Sequence, residues 1–251
     1  MPRFFVEASA ISDGFVTLTG ENAHHIAFSL RRAPGDRVTL CDRVTVYDCE
    51  LVSFTEDTVL ARIMDSRPVD SEPPFRVHLY QALPKGDKLD GIIQKAVECG
   101  VASITTFESE RCVVRLKEAG EEKKLERRRR IAVEAAKQSG RGALPAVHPT
   151  LSFAEAIRQA ASADIPLFCY EGEGDRSLSE VLREKRRTDG SLPSISVVIG
   201  SEGGFSQKEA EAARAAGLIS VGLGKRILRT ETAAITSVAM CMLNAELSSE
   251  E

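Results

Sequence analysis

Hydrophobic and polar residues alternate over the first 70 residues in the manner of short strands. Segments rich in Val, Phe, Thr and Leu are separated by turn-forming residues such as Asp13-Gly14 and Pro34-Gly35-Asp36. The pattern predicts one short helix, at residues 21–30, and strands at residues 3–7, 15–19, 37–41, 44–52 and 58–64. This succession is typical of a small β-barrel domain over residues 1–70, and the prolines within residues 66–74 indicate a linker after it.

Strands and helices alternate in the remainder of the chain, residues 75–251. Ser152, Ser177 and Ser206 each stand three positions before a glutamate, a capping box that predicts the start of a helix. Residues 195–199 are rich in β-branched side chains, as expected of a strand buried on both faces. Further strands are predicted at residues 77–82, 103–107, 165–170 and 218–221, and helices at residues 88–99, 121–139 and 231–247. The alternation predicts an α/β fold in which helices cover a parallel sheet.

Composition narrows the class of protein only slightly. The 251 residues are 43% hydrophobic and 28% charged, which is ordinary globular usage. The formal net charge of -4 argues mildly against nucleic-acid binding, but basic residues cluster at residues 123–130, interspersed with glutamates. This cluster is open to two interpretations, a solvated helix face or a surface that contacts phosphates.

The six cysteines and the chain's hydropathy indicate where the protein works. No two cysteines form a C-x-x-C pair and no histidine stands at ligand spacing from a cysteine, so we expect no metal site. The N-terminal residues do not resemble a signal peptide, and no apolar run approaches the roughly 20 residues that span a membrane. We therefore expect a cytoplasmic protein with reduced thiols and no membrane association.

Two predicted strand exits carry candidate chemistry, because ligands bind beyond the carboxyl ends of the strands of an open parallel sheet. The first exit, residues 200–205 (GSEGGF), holds three glycines that permit close approach of a ligand to the backbone. The sequence matches neither common phosphate-binding motif, and Glu202 would repel an anion. The exit therefore favours a neutral or cationic ligand, with a tight strand-to-helix turn as the structural alternative.

The second exit, residues 223–233 (LGKRILRTETA), combines apolar and cationic residues. Leu223, Ile227 and Leu228 could line a slot for an adenine ring, and Arg229 would stand at its edge. Thr230 could cap the helix that follows. A surface loop with a capped helix is the structural alternative.

Together, these two motifs resemble the C-terminal signature of the RsmE family, which methylates uracil N3 in 16S ribosomal RNA and belongs to the SPOUT (trefoil-knot) superfamily. Ser201 departs from the resemblance, since the family usually has proline there, and Cys99 stands where leucine is usual. The GSEG sequence also resembles the related ribose 2′-O-methyltransferases. Those enzymes have a Ser-Leu-Asn run in the last loop, where this chain has residues 229–232 (RTET), so base methylation is favoured. Weaker matches cover the rest of the chain, at residues 3–5, 25–36, 85–101, 109–111 and 134–141.

The resemblance implies the fold, the cofactor and the assembly. The C-terminal domain, residues 75–251, would be a SPOUT α/β knot, a parallel sheet with a deep trefoil knot, and residues 1–70 would be a PUA-like, RNA-binding β-barrel. The protein would be a homodimer that binds S-adenosylmethionine without a metal. The implied cofactor-binding residues are Tyr170, Glu171, Ile199, Gly200, Glu202, Gly203, Gly204, Leu223, Gly224, Ile227, Leu228, Arg229, Thr230 and Ala233.

The implied reaction assigns roles to charged residues. Uracil N3 must lose a proton, and the negative charge that spreads onto O2 and O4 would be stabilised by a fixed cation, for which Arg229 is the candidate. Arginine cannot accept the proton, so Glu202 and Glu231 are the candidate bases. The candidate contacts to 16S ribosomal RNA in the small subunit are Arg31, Arg32, Lys85, Lys88, Lys95, Arg111 and Arg141. A ribose 2′-O-methyltransferase and a non-catalytic RNA-binding assembly factor are the alternative functions.

Overall fold

A computed structural model describes residues 3–73, 75–115, 120–170, 176–185 and 194–246 of the chain. The chain divides into two units. The first comprises Met1–Glu72 and Ala136–Leu144, and the second comprises Pro73–Ala135 and Pro145–Glu251. Among the described residues, no helix is long and apolar enough to cross a membrane.

The first unit is built on a six-stranded sheet. Its strands are β1 (Arg3–Phe5), β2 (Ile11–Ser12), β3 (Phe15–Thr19), β4 (Arg37–Cys41), β5 (Thr45–Phe54) and β6 (Thr58–Pro68). They pair in the order β1-β4-β5-β6-β3-β2, and every pair except β1–β4 is antiparallel. Helix α1 (Gly20–His24) continues into a π-helical turn, His25–Ser29, over the predicted helix. The core contains the alternating inward residues of the strands, such as Val16 and Leu18 of β3.

The predicted linker begins too early. β6 continues to Pro68, and Ser66 and Pro68 pair with Tyr47 and Thr45 of β5. The local sequence reads as a linker because it contains prolines and acidic residues, but β5 offers a partner strand that no local pattern reveals. Proline is tolerated at this position because it lies at the end of the strand.

A partly buried ion pair joins the two segments of the first unit. Arg141 is only 5% exposed, and its Nη2 donates to Glu72 Oε2 at 2.6 Å while its Nε donates to Oε1 at 3.0 Å. The backbone N–H of Gly142 donates to the same carboxylate at 2.8 Å. Burial raises the pKa of Glu72, but the hydrogen bonds and charge of Arg141 and the backbone donors outweigh it, so the net pKa is lowered. Arg141 thus serves the fold, and we remove it from the candidate RNA contacts.

Replacing Glu72 with glutamine should lower the free energy of unfolding by about 1–3 kcal/mol at neutral pH, because Arg141 would be left buried with a weaker acceptor. A carboxyl group whose pKa is lowered on folding stabilises the protein above its unfolded pKa, and this contribution is lost as the pH falls through the folded pKa. The difference between the two proteins should therefore shrink below pH 4.5. Urea unfolding from neutral to acidic pH measures it.

Glu7→Gln is the matched control, since Glu7 pairs with Arg43 at 3.3 Å in an exposed position, where ion pairs contribute little. An equal loss of stability in both variants, or a Glu72→Gln effect that is constant with pH, would contradict the assignment.

The second unit contains a seven-stranded, wholly parallel sheet, as predicted. Its strands are β7 (Val77–Ala82), β8 (Ser103–Glu108), β9 (Ala146–Ser152), β10 (Ile165–Cys169), β11 (Arg176–Ser177), β12 (Ile195–Ile199) and β13 (Ile219–Gly222). They pair in the order β11-β13-β10-β12-β7-β8-β9. The edge strands β9 and β11 were not predicted. Every residue of β12 is buried, which confirms the prediction of a strand covered on both faces.

Helices follow most of these strands. They are α2 (Lys88–Glu98), α3 (Glu121–Ser139), α4 (Phe153–Ala160), α5 (Leu178–Glu184), α6 (Gln207–Ala215) and α7 (Thr230–Glu246). The capping boxes at Ser152, Ser177 and Ser206 are all confirmed. The carboxyl ends of β13, β10, β12 and β7 lie side by side at the centre of the sheet, so the segments that leave them meet at one edge.

Candidate functional site

A pocket of about 770 Å³ opens at this edge of the second unit. The segments that leave β10, β12 and β13 form its walls, so both predicted strand exits contribute to one site. Twelve of the predicted cofactor-binding residues line it: Tyr170, Ile199, Gly200, Glu202, Gly203, Gly204, Leu223, Ile227, Leu228, Arg229, Thr230 and Ala233. Gly224 is not among the lining residues, and Glu171 lies outside the described residues.

The loop after β12 is a tight turn held by its own backbone. The N–H of Gly204 donates to the Ser201 carbonyl at 2.9 Å, and Gly204 has φ of +63°, which favours glycine. A Cβ at Gly203 would lie 2.9 Å from the Cβ of Arg111, so this position has no room for a side chain. The loop is therefore both a tight strand-to-helix turn and a wall of the pocket. Its glycines are needed for packing, and they also place backbone groups at the pocket.

Ser201 and Thr230 provide hydroxyl groups at the pocket wall. Ser201 Oγ is buried and has no hydrogen-bond partner in the structure, although its residue lines the pocket. Thr230 is the first residue of α7, and its hydroxyl donates to the Gly200 carbonyl at 2.6 Å and accepts from Gln81 at 2.9 Å. The Thr230 hydroxyl therefore links the two exits and does not cap its own helix. The sequence did not predict this hydrogen bond, because Gly200 lies 30 residues away.

The two candidate bases share one cation. Lys88 Nζ lies 2.9 Å from Glu202 Oε1 and 3.4 Å from Glu231 Oε2. The backbone N–H of Lys85 also donates to Glu202, at 3.1 Å. Burial raises the pKa of Glu202, but the hydrogen bond from Lys88 and the backbone donors outweigh it and the net pKa is lowered. Glu202 is consequently a weaker base than an ordinary glutamate, and Lys88 is engaged inside the site.

Cationic and apolar side chains stand exposed at the pocket mouth. Arg111, Arg226 and Arg229 all line the pocket and are exposed, and Ile227 is 86% exposed. Within the part of the chain that the structure describes, Arg229 makes no ion pair, whereas the Arg111 guanidinium donates to the Gly203 carbonyl at 3.1 Å. Arg229 is thus a cation held at the pocket with its charge available to a ligand.

The other candidate RNA contacts lie on exposed or half-buried surface. Arg31 and Lys85 are exposed, Arg32 lies 3.9 Å from Asp36, and Lys95 pairs with Glu98 at 2.9 Å. Sequence reasoning missed several residues that line the pocket, namely Cys169, Ser201, Phe205, Gln207, Val221 and Arg226, and it assigned Lys88 and Arg111 to RNA alone. Ser201 and Phe205 lie inside the predicted loop, so the loop itself was the signal for them.

The sequence of this chain matches two known family models. Residues 71–242 match the RNA methyltransferase domain, and residues 18–64 match the RNA methyltransferase PUA domain. The fold and site therefore define an RNA methyltransferase. More narrowly, the chain belongs to the ribosomal RNA small subunit methyltransferase E family, which confirms the resemblance inferred from the sequence.

Individual relatives share the whole length of the chain. The ribosomal RNA small subunit methyltransferase E of Bacillus subtilis is 34% identical over 98% of both chains. The solved structure of the Neisseria gonorrhoeae enzyme bound to S-adenosyl methionine is 32% identical, with a TM-score of 0.81 over 96% of each chain. A Legionella pneumophila methyltransferase solved with its bound cofactor SAM is 27% identical, with a TM-score of 0.83 over 96% of each chain.

Proposed function

We propose that this protein transfers a methyl group from S-adenosylmethionine to uracil N3 of one uridine in 16S ribosomal RNA. The observation that carries the proposal is the pocket formed by the β12 and β13 exits, with Arg229 in its wall and no ion pair to Arg229 from any residue that the structure describes. Support comes from the Neisseria gonorrhoeae relative, whose solved structure is bound to S-adenosyl methionine. Membership of a family of ribosomal RNA methyltransferases also supports a cytoplasmic location.

The residues of the pocket fit this cofactor. Leu223, Ile227 and Leu228 give an apolar wall suited to an adenine ring, and Gly203 and Gly204 leave backbone accessible beside it. Ser201 Oγ is a buried hydroxyl group with no hydrogen-bond partner among the residues that the structure describes, and it can bond a polar group of a ligand. When bound, S-adenosylmethionine supplies an activated methyl group on a positively charged sulfur.

Arg229 is the residue we assign to charge stabilisation. Methylation of uracil N3 forms an N3–C bond as the sulfur–methyl bond of the donor breaks and leaves a neutral thioether. The N3 proton passes to a base, and negative charge develops on O2 and O4 as it leaves. A guanidinium fixed near these oxygens stabilises that charge without itself exchanging a proton. Arg229 suits this role because it lines the pocket and is not neutralised by a described carboxylate.

Two glutamates are candidates for the base that accepts the uracil proton. Glu202 and Glu231 both face Lys88, and the hydrogen bonds from Lys88 and the backbone lower the pKa of Glu202 despite its partial burial. Glu231 Oε2 is buried and lies 3.4 Å from Lys88 Nζ, farther than the 2.9 Å between Glu202 Oε1 and the same ammonium group. We therefore favour Glu231 over Glu202 as the base.

The remaining parts of the proposal concern RNA and assembly. We assign RNA binding to residues 1–70, supported by the match to the RNA methyltransferase PUA domain, to the half-buried Arg32 and to the exposed cations Arg31, Lys85, Lys95 and Arg111. We also propose that the C-terminal segment forms the trefoil knot and that the protein is a homodimer, both on the basis of the family resemblance. The packing of α7 against α2, α5, β7 and β12 supports the knot, since it returns the chain across the sheet after β13.

Mass spectrometry of nucleosides tests the proposal. The protein is incubated with labelled S-adenosylmethionine and small ribosomal subunits that lack the modification, and the RNA is digested to nucleosides. Label in 3-methyluridine is the expected result. Label in a 2′-O-methyl nucleoside would replace the proposal with the ribose methyltransferase alternative. Failure to bind S-adenosylmethionine in calorimetry would favour the non-catalytic assembly factor.

A further inference from the structure

A buried glutamine connects the two loops of the pocket without lining it. Gln81 is the next-to-last residue of β7 and is fully buried. Its side-chain amide donates to Thr230 Oγ1 at 2.9 Å and to the Ala82 carbonyl at 2.8 Å, and it has a longer contact with the Gly200 carbonyl at 3.4 Å. Thr230 in turn donates to the Gly200 carbonyl at 2.6 Å. One chain of hydrogen bonds thus runs from β7 through the start of α7 to the exit of β12.

The direction of each hydrogen bond is fixed by chemistry. The Gly200 carbonyl can only accept, so the Thr230 hydroxyl proton must point to it. The Thr230 oxygen can therefore accept a proton from Gln81, and the second amide proton of Gln81 goes to the Ala82 carbonyl. Only a side chain with two N–H donors satisfies both acceptors, and glutamate at this position would place a carboxylate against a carbonyl oxygen.

The stability of the core does not explain why an amide side chain stands at position 81. Gln81 Oε1 is buried and has no hydrogen-bond partner in the structure, and an unpaired buried acceptor is unfavourable. Methionine has nearly the same shape and would avoid that cost. The benefit of the glutamine lies in the connection to Thr230 and Gly200, which both line the pocket.

We propose that Gln81 is a positioning residue that fixes the Gly200 loop relative to the start of α7 and so holds the pocket in its ligand-binding form. The inference rests on the proposed function for the identity of the ligand, S-adenosylmethionine. Gln81 acts mainly through Thr230, because its direct contact with the Gly200 carbonyl is long, at 3.4 Å, whereas the bonds from Gln81 to Thr230 and from Thr230 to that carbonyl are 2.9 Å and 2.6 Å. A preorganised pocket binds more tightly because less order is lost on binding.

The test compares Gln81→Met, Thr230→Val and the double variant, with Thr230→Ser keeping the hydroxyl. Calorimetry with S-adenosylmethionine should show about tenfold weaker binding for Gln81→Met, because the buried hydrogen bond to Thr230 is lost. Adding Gln81→Met to Thr230→Val should change the affinity little further, since the link is already broken. Thr230→Ser should bind almost as the unchanged protein does. Gln94→Met is the matched control, because Gln94 is exposed on α2.

Thermal unfolding distinguishes positioning from folding, since Gln81→Met should leave the melting temperature close to that of the unchanged protein. Unaltered affinity in Gln81→Met, or effects of Gln81→Met and Thr230→Val that simply add, would overturn the inference. If the unchanged protein binds no S-adenosylmethionine, the proposed function fails. The inference is then decided by amide hydrogen exchange of residues 200–205. Faster exchange in Gln81→Met supports it, and unchanged exchange overturns it.

Discussion

Replacing Arg229 with alanine is expected to slow methyl transfer by about 100- to 1,000-fold, the usual effect of losing one group that stabilises developing charge. Arg229 is exposed at the pocket and unpaired among the described residues, so little of the fold depends on it. The affinity for S-adenosylmethionine should change by only a few-fold, because the charge that Arg229 stabilises develops on the uracil. Single-turnover kinetics with labelled cofactor and small-subunit particles measure the rate.

Two further variants sharpen this result. Lys225→Ala removes a cation from the same loop that is exposed but does not line the pocket, and it should transfer methyl groups at nearly the normal rate. Arg229→Lys keeps the charge without the planar fork and should fall between the alanine variant and the unchanged protein. Full activity in Arg229→Ala would remove Arg229 from the reaction, and equal losses in Arg229→Ala and Lys225→Ala would reduce its role to general attraction of RNA.

Features encoded by neighbouring residues could be predicted from the sequence. The capping boxes at Ser152, Ser177 and Ser206 depend on contacts three residues apart, and β12 is marked by its own β-branched residues. The edge strands β9 and β11 were missed because an edge strand is defined by its partner. The extension of β6 to Pro68 was missed for the same reason, since it depends on pairing with β5.

The site could be predicted in its location but not in its electrostatics. The alternating pattern places both exits at the edge of the sheet where the carboxyl ends of its strands lie, and the family resemblance implied that they form one cofactor site. The pairing of Lys88 with Glu202 and Glu231 joins residues more than 100 positions apart, and the bond between Arg141 and Glu72 spans 69. A list of basic residues in the sequence cannot separate such cations from those available to RNA, because the distinction depends on which carboxylate the fold brings close.

Adding a single methyl group at Gly203 should disrupt the pocket. The backbone of Gly203 does not have a positive φ, so alanine is not excluded by conformation. The obstacle is space, since the new Cβ would lie 2.9 Å from the Cβ of Arg111 and 3.3 Å from its carbonyl oxygen. Neither atom can move without the backbone, so the loop must shift. Overpacking of this kind costs about 1–3 kcal/mol, and calorimetry should show binding of S-adenosylmethionine weakened by about tenfold or more.

The matched control for Gly203→Ala is Gly91→Ala, because a Cβ at Gly91 in α2 meets no atom within 4 Å. That variant should bind the cofactor normally and gain about 0.5–1 kcal/mol of stability, as alanine replaces glycine within a helix. Arg111→Gly in the Gly203→Ala background removes the closest contact and should restore part of the affinity, which separates the clash from a general loss of folding. Normal binding by Gly203→Ala would mean that the loop is free to move when the cofactor binds, and the fixed turn would then no longer explain why glycine stands at this position.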